Sequence, residues 1–140
     1  MSFREQSAWL MTAALLLTGL FYFSFVARLS SELGEIAPPL LPVVGLYLAV
    51  LIVLAVVGHV LAAAFAPKDA TADMDERDRL IAARSGNLSG YILAAGALLA
   101  LGHYLVAHNG NALFHGVFAS LLISQMAEYG LRILFYRRAV

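Results

Sequence analysis

Residues 39–65 read PLLPVVGLYLAVLIVLAVVGHVLAAAF, and this stretch decides the class of fold. It contains no Asp, Glu, Lys or Arg, and its one histidine is His59. A helix needs about 20 predominantly apolar residues to cross the roughly 30 Å hydrocarbon core of a bilayer. Since this stretch exceeds that length, the sequence predicts a membrane-spanning helix here.

The rest of the chain has the same character. Of its 140 residues, 61% are hydrophobic and 13% are charged, and the mean hydropathy is +0.82. A soluble domain is about 45–50% apolar, so a bilayer is the expected solvent. Three further windows, about residues 8–27, 89–106 and 112–136, are apolar enough to cross it. The prediction is a single all-α domain, a polytopic membrane protein with four transmembrane helices.

The connections and the basic residues predict the topology. Because His108 to Asn111 (HNGN) form a short polar turn, the last two helices are expected to be antiparallel neighbours, which gives two antiparallel hairpins in all. Arginine and lysine gather before the first helix, between the second and third, and after the fourth, whereas the other side holds only Arg28. By the positive-inside rule both termini are cytoplasmic, as expected for a multi-pass protein of the bacterial inner membrane. The basic residues on the inner side are Arg4, Lys68, Arg77, Arg79, Arg84, Arg137 and Arg138.

Residues 67–88 form the one sizeable polar segment, predicted to be a cytoplasmic loop. Asp73 followed by Glu76 resembles a capping box, and helix-forming residues continue to Arg84 before Gly86 and Asn87, which are expected to end a short amphipathic helix. The pairs Asp73–Arg77 and Asp75–Arg79 have the i,i+4 spacing of helix-stabilising ion pairs. This helix is either a solvated interfacial element or a docking site for a cytoplasmic protein. The docking residues would be Asp73, Asp75, Glu76, Arg77, Arg79, Arg84, Arg137 and Arg138.

The run DERDRLIAARSGNLSGYILAAG from Asp75 to Gly96, together with the YRR of Tyr136 to Arg138, resembles a family of small integral membrane proteins of unknown function. Members of that family carry a DERD-like acidic and basic loop before their last helical hairpin. They are often encoded beside small helix-turn-helix transcription regulators. The resemblance implies a membrane partner or inhibitor of such a regulator, and it supplies no catalytic residues.

Ionisable and amide side chains within the windows are candidate functional groups, because they are costly in a bilayer. Gln125, Glu128 and Arg132 share one face of the fourth helix, and His59 lies at a similar depth on the second. Two interpretations remain open. Either Glu128 and Arg132 neutralise each other while Gln125 and His59 make interhelical hydrogen bonds, or Glu128 is a proton- or cation-coupling carboxylate with His59 as its relay.

A second set of candidates lies toward the outer side. His103 and His115 are placed at similar depth across the tight turn and could share a metal ion with His108, or less readily a haem. The alternative is that all three are interfacial or hydrogen-bonded residues. No cysteine is present, and no nucleophile elbow, phosphate loop or zinc-protease helix occurs.

The expected function is therefore non-enzymatic and needs no cofactor. The leading hypothesis is a regulatory partner or membrane-bound inhibitor of a cytoplasmic transcription regulator, with the chain forming a homo-oligomer. With equal numbers of acidic and basic residues, direct nucleic-acid binding is not expected. The alternatives are a small oligomeric transporter or channel subunit using Glu128, and a histidine-ligated metal or haem redox protein.

Overall fold

The computed structural model describes residues 3–65 and 73–138 of the chain. These residues form four helices: α1 (Phe3–Leu33), α2 (Leu41–Phe65), α3 (Glu76–Ala107) and α4 (Gly110–Arg137). Each helix is long and apolar enough to cross a membrane, which confirms the all-α architecture with four candidate spans.

Glycine and proline residues set the end of the first helix and the beginning of the second. Helix α1 extends beyond the apolar window at both ends and stops at Gly34, which adopts φ +72° and donates its N–H to the Ser30 carbonyl at 3.0 Å. Glycine tolerates this left-handed conformation without steric cost. Helix α2 begins at Leu41, after Pro38 and Pro39, and accepts Pro42 in its first turn, where no intrahelical N–H donor is needed.

Helix α3 corrects the prediction for the polar segment. The expected stop at Gly86 and Asn87 does not occur, because one unbroken helix of 32 residues contains both the amphipathic segment and the third span. Its cap is Asp75, whose carboxylate accepts the Asp78 N–H at 2.6 Å, rather than Asp73. A glycine costs a helix only about 1 kcal/mol relative to alanine. Packing against α4 outweighs that cost, since Ser85 and Ser89 on either side of Gly86 are buried.

The turn between α3 and α4 is as short as its sequence indicates. His108 adopts a left-handed φ of 52° and donates its backbone N–H to the Tyr104 carbonyl at 2.8 Å. Asn109 then caps α4, accepting the Ala112 N–H through its side chain at 2.9 Å. Two adjacent polar residues therefore end one helix and start the next.

The helices pack in the spatial order α2, α1, α4, α3. Helix α1 packs against α2 and α4, and α4 packs against α3, whereas in the described residues α2 and α3 do not pack against each other. Aromatic side chains fill the centre between α1, α2 and α4: the Tyr22 ring lies 5.7 Å from Tyr47 and 4.6 Å from Phe118, measured between centroids. The fold is thus an open array with two inner and two outer helices.

Candidate functional site

One end of the molecule gathers most of its charged side chains. Here the start of α1, the end of α2, the start of α3 and the end of α4 meet, and we call this region the charged end. Arg4 of α1 forms an ion pair with Asp78 of α3 at 2.9 Å, and Ser7 of α1 contacts His59 of α2 at 2.6 Å. The docking residues predicted from the sequence lie in this region, as do three of the four polar residues predicted to lie within the membrane: His59, Glu128 and Arg132.

Asp78 connects three helices at the charged end. One carboxylate oxygen faces the Arg4 guanidinium, and the other accepts the Tyr136 hydroxyl of α4 at 2.8 Å. Because both oxygens are satisfied, the partly buried carboxylate is tolerated. Sequence reasoning did not single out Asp78. The sequence did contain a signal, because Ile81, Ser85 and Ser89 follow Asp78 at spacings that place all four residues on one helix face. In the structure, Ile81, Ser85 and Ser89 are buried.

A polar cavity of about 240 Å³ opens between the four helix ends. Its lining mixes two arginines and a carboxylate with a histidine and two hydroxyl groups. The polar side chains that line it are Arg4, Ser7, His59, Asp78, Arg132 and Tyr136. The charged end therefore contains a partly open polar cavity in addition to an exposed charged surface.

His59 belongs to this cavity and is held in one tautomer. Its Nδ1 lies 2.7 Å from the Ala55 carbonyl, which can only accept, so Nδ1 carries a proton. In the neutral ring Nε2 is then an acceptor, and the Ser7 hydroxyl donates to it at 2.6 Å. His59 thus makes an interhelical hydrogen bond to α1, and its two ring nitrogens are used by Ser7 and Ala55 rather than by Glu128.

The polar residues of α4 separate into two groups. Glu128 and Arg132 form an ion pair within the helix, and the Arg132 guanidinium also lies 5.2 Å from the centroid of the Tyr129 ring. Within the described residues, the buried Arg132 Nε has no hydrogen-bond partner. Gln125 does not join this group, because its side chain is exposed on the surface of the array.

The predicted docking residues all lie on the exposed part of the charged end. Arg77 donates to the Tyr136 carbonyl at 3.3 Å, Arg84 lies 5.2 Å above the Phe135 ring, and Arg137 contacts both Glu5 and the Trp9 ring. The exposed residues are Asp73, Asp75, Glu76, Arg77, Arg79, Arg84, Arg137 and Arg138.

A shallow groove of about 210 Å³ runs along the exposed face of α3. Leu80, Ile81 and Phe135 provide its apolar lining, and Arg77 and Arg84, seven residues apart, lie at its two ends. Leu80 is 66% exposed. We call this feature the arginine groove. It presents apolar surface between two cations.

At the opposite end, the three candidate histidines lie in different surroundings. His115 is buried, with Nε2 donating to the Ala37 carbonyl at 2.9 Å and Nδ1 accepting from the Tyr22 hydroxyl at 3.1 Å. His103 is exposed on α3, and His108 caps that helix. Because both nitrogens of His115 are bonded within the chain, this arrangement favours the hydrogen-bonded interpretation of that histidine over a metal shared with His103. Among the residues described, no cluster of three or more metal-ligating side chains occurs.

The fold and the charged end together define a four-helix protein of membrane-spanning type with a polar cluster and an exposed charged helix at one end. Comparisons with protein-family models, with curated proteins and with solved structures found no match.

Proposed function

We propose that this chain is a non-enzymatic protein of the bacterial inner membrane whose charged end binds a cytoplasmic transcription regulator and holds it at the membrane. The topology proposed with it is two antiparallel hairpins with both termini in the cytoplasm. The gathering of arginines supports this orientation: Arg77, Arg79 and Arg84 share the charged end with Arg137 and Arg138. Lys68, which the sequence also placed on this side, lies outside the described residues.

The length of α3 supports docking at this end. At 1.5 Å per residue its 32 residues span about 48 Å, well beyond a hydrocarbon core of roughly 30 Å. The far end of α3 closes directly into the tight turn at His108 and Asn109. The excess therefore lies at the start of the helix, where about three turns carry charges of both signs into the aqueous phase.

The arginine groove is the observation that carries the proposal. An apolar floor closed at both ends by Arg77 and Arg84 complements an apolar side chain flanked by acidic residues. A short amphipathic helix that carries an apolar anchor between acidic residues would supply this chemistry. The identity of the partner as a regulator rests on the resemblance carried by Asp75 to Gly96 and Tyr136 to Arg138.

The test uses the full chain in lipid nanodiscs and the purified helix-turn-helix regulator encoded beside it. Reversing both ends of the groove, Arg77→Glu with Arg84→Glu, is expected to weaken binding at least about tenfold, because like charges then face the acidic partner. Arg28→Glu is the matched control, since Arg28 is an exposed arginine at the opposite end. Unchanged binding by the groove variant, or the absence of any such neighbouring gene, would contradict the proposal.

Transport is the second candidate, and the polar cavity favours it. Arg132 and His59 line that cavity, and Glu128 pairs with Arg132 beside it. The ion pair weighs against coupling, because Arg132 already neutralises the carboxylate that would bind the ion. A proton or cation flux into proteoliposomes that is lost in Glu128→Gln, and retained in the variant with Arg77→Glu and Arg84→Glu, would favour transport over regulation.

A further inference from the structure

Gln125 is placed where a polar side chain is costly. It lies about 2 Å from the midpoint of α4, counted at 1.5 Å per residue between Gly110 and Arg137, and its side chain is exposed. In the part of the chain that the structure describes, no hydrogen bond satisfies its amide. An unpaired amide in hydrocarbon costs several kcal/mol on transfer from water, so a partner is expected within the membrane.

The residues that precede Gln125 form a stripe on one face of α4, in which Phe114, Leu121 and Gln125 are exposed and Val117 is half-buried. Phe114, Val117, Leu121 and Gln125 are spaced by three or four residues, and Phe114 and Leu121 are 37% and 46% exposed. An open groove of about 440 Å³ lies along the apolar part of this stripe. We call these four residues the α4 stripe.

Two other faces of α4 are already used within the chain. His115 and Leu122 face α1, where they contact Tyr22 and Gly19. Ser124 faces α3, where its hydroxyl donates to the Ser89 carbonyl at 3.0 Å. The α4 stripe lies between these two faces, and none of the described helices covers Gln125.

We infer that a second copy of this chain packs against the α4 stripe, with the two Gln125 amides paired across a two-fold axis. A carboxamide carries both a donor and an acceptor, so two identical side chains satisfy each other, which neither lipid tails nor a purely apolar helix can do. A two-fold interface is self-complementary in the same way, because each residue near the axis meets its own counterpart. The stripe is separate from the arginine groove, so this interface is independent of regulator binding.

Disulfide crosslinking tests the interface directly, because the chain contains no cysteine. Gln125→Cys and Leu121→Cys, each purified and reconstituted in proteoliposomes, are expected to form a disulfide-linked dimer on mild oxidation, since both lie near the axis. Ile123→Cys is the matched control. It is 54% exposed on the same helix at the same depth but points about 200° away from Gln125.

A second measurement separates the amide from the surrounding surface. By energy transfer between labelled copies at varied lipid-to-protein ratios, Gln125→Leu is expected to weaken the dimer about three- to tenfold, and Gln125→Asn to retain most of the affinity. Equal crosslinking at positions 123 and 125 would overturn the inference. So would an energy-transfer signal no greater than that of random proximity, which would leave lipid as the occupant of the stripe.

Discussion

Single polar residues inside this fold are held by specific partners, and His115 is the clearest example. Its Nε2–H donates to the Ala37 carbonyl and its Nδ1 accepts the Tyr22 hydroxyl, so the neutral ring has both nitrogens satisfied. The ring joins α4 to α1 and to the segment that precedes α2. His115 therefore forms a hydrogen-bonded link between helices, which was one of the two interpretations that the sequence left open.

Tyr22→Phe is expected to destabilise the fold by about 1–3 kcal/mol, because His115 Nδ1 would remain buried without a donor. The free energy of unfolding in mixed detergent micelles measures this. Tyr91→Phe is the matched control, since Tyr91 is 74% exposed and its hydroxyl has no such role. Equal stability of the two variants would mean that the hydrogen bond contributes nothing measurable.

At the scale of the helices, the sequence predicted how many helices the chain forms better than it predicted the residues at which they begin and end. The four apolar windows correspond to four helices because a bilayer requires every backbone group to be bonded within the segment. The continuation of α3 through Gly86 could not be predicted from local signals, because burial of Ser85 and Ser89 against α4 depends on a helix distant in sequence. The same reason hid the Asp78 and Tyr22 contacts, which join residues 58 and 93 positions apart.

The contact between α3 and α4 depends on a glycine. A Cβ at Gly96 would lie 2.7 Å from the Ser120 Cβ, inside normal contact distance. We expect Gly96→Ala to destabilise the helix pair by about 1–3 kcal/mol, because either the backbone or Ser120 must shift. Gly102 lies on the same helix with open space around it, so Gly102→Ala is expected to be neutral or stabilising.

Thermal unfolding in detergent, followed by circular dichroism, compares these two glycine variants. If the melting temperature falls in Gly96→Ala and rises or stays constant in Gly102→Ala, close packing rather than glycine flexibility is the reason that Gly96 is needed. Equal effects would show that the close approach at Ser120 is unimportant for stability.

At the scale of the whole molecule, the order α2, α1, α4, α3 leaves two helices with little burial. Only 11% of the most apolar window of α2 and 6% of that of α3 are buried inside the array. In a membrane these surfaces face lipid or further copies of the chain, and only the four helix ends come together around a polar space. The open arrangement is consistent with a binding role at the charged end and an association role along the spans.

The orientation of the molecule decides whether the charged end can meet a cytoplasmic partner. It can be measured by cysteine labelling, because the chain lacks cysteine. With cytoplasmic termini, Glu35→Cys is expected to react with a membrane-impermeant maleimide in intact spheroplasts, whereas Glu76→Cys reacts only after permeabilisation. Both side chains are exposed and both substitutions remove one acidic charge, so each controls for the other.

The reverse labelling pattern would place the arginine groove outside the cell, where no transcription regulator can reach it. That result would exclude the proposed function and leave the α4 stripe unaffected, because an interface near the membrane midplane does not depend on which end faces the cytoplasm. The labelling experiment therefore tests regulator binding separately from dimerisation.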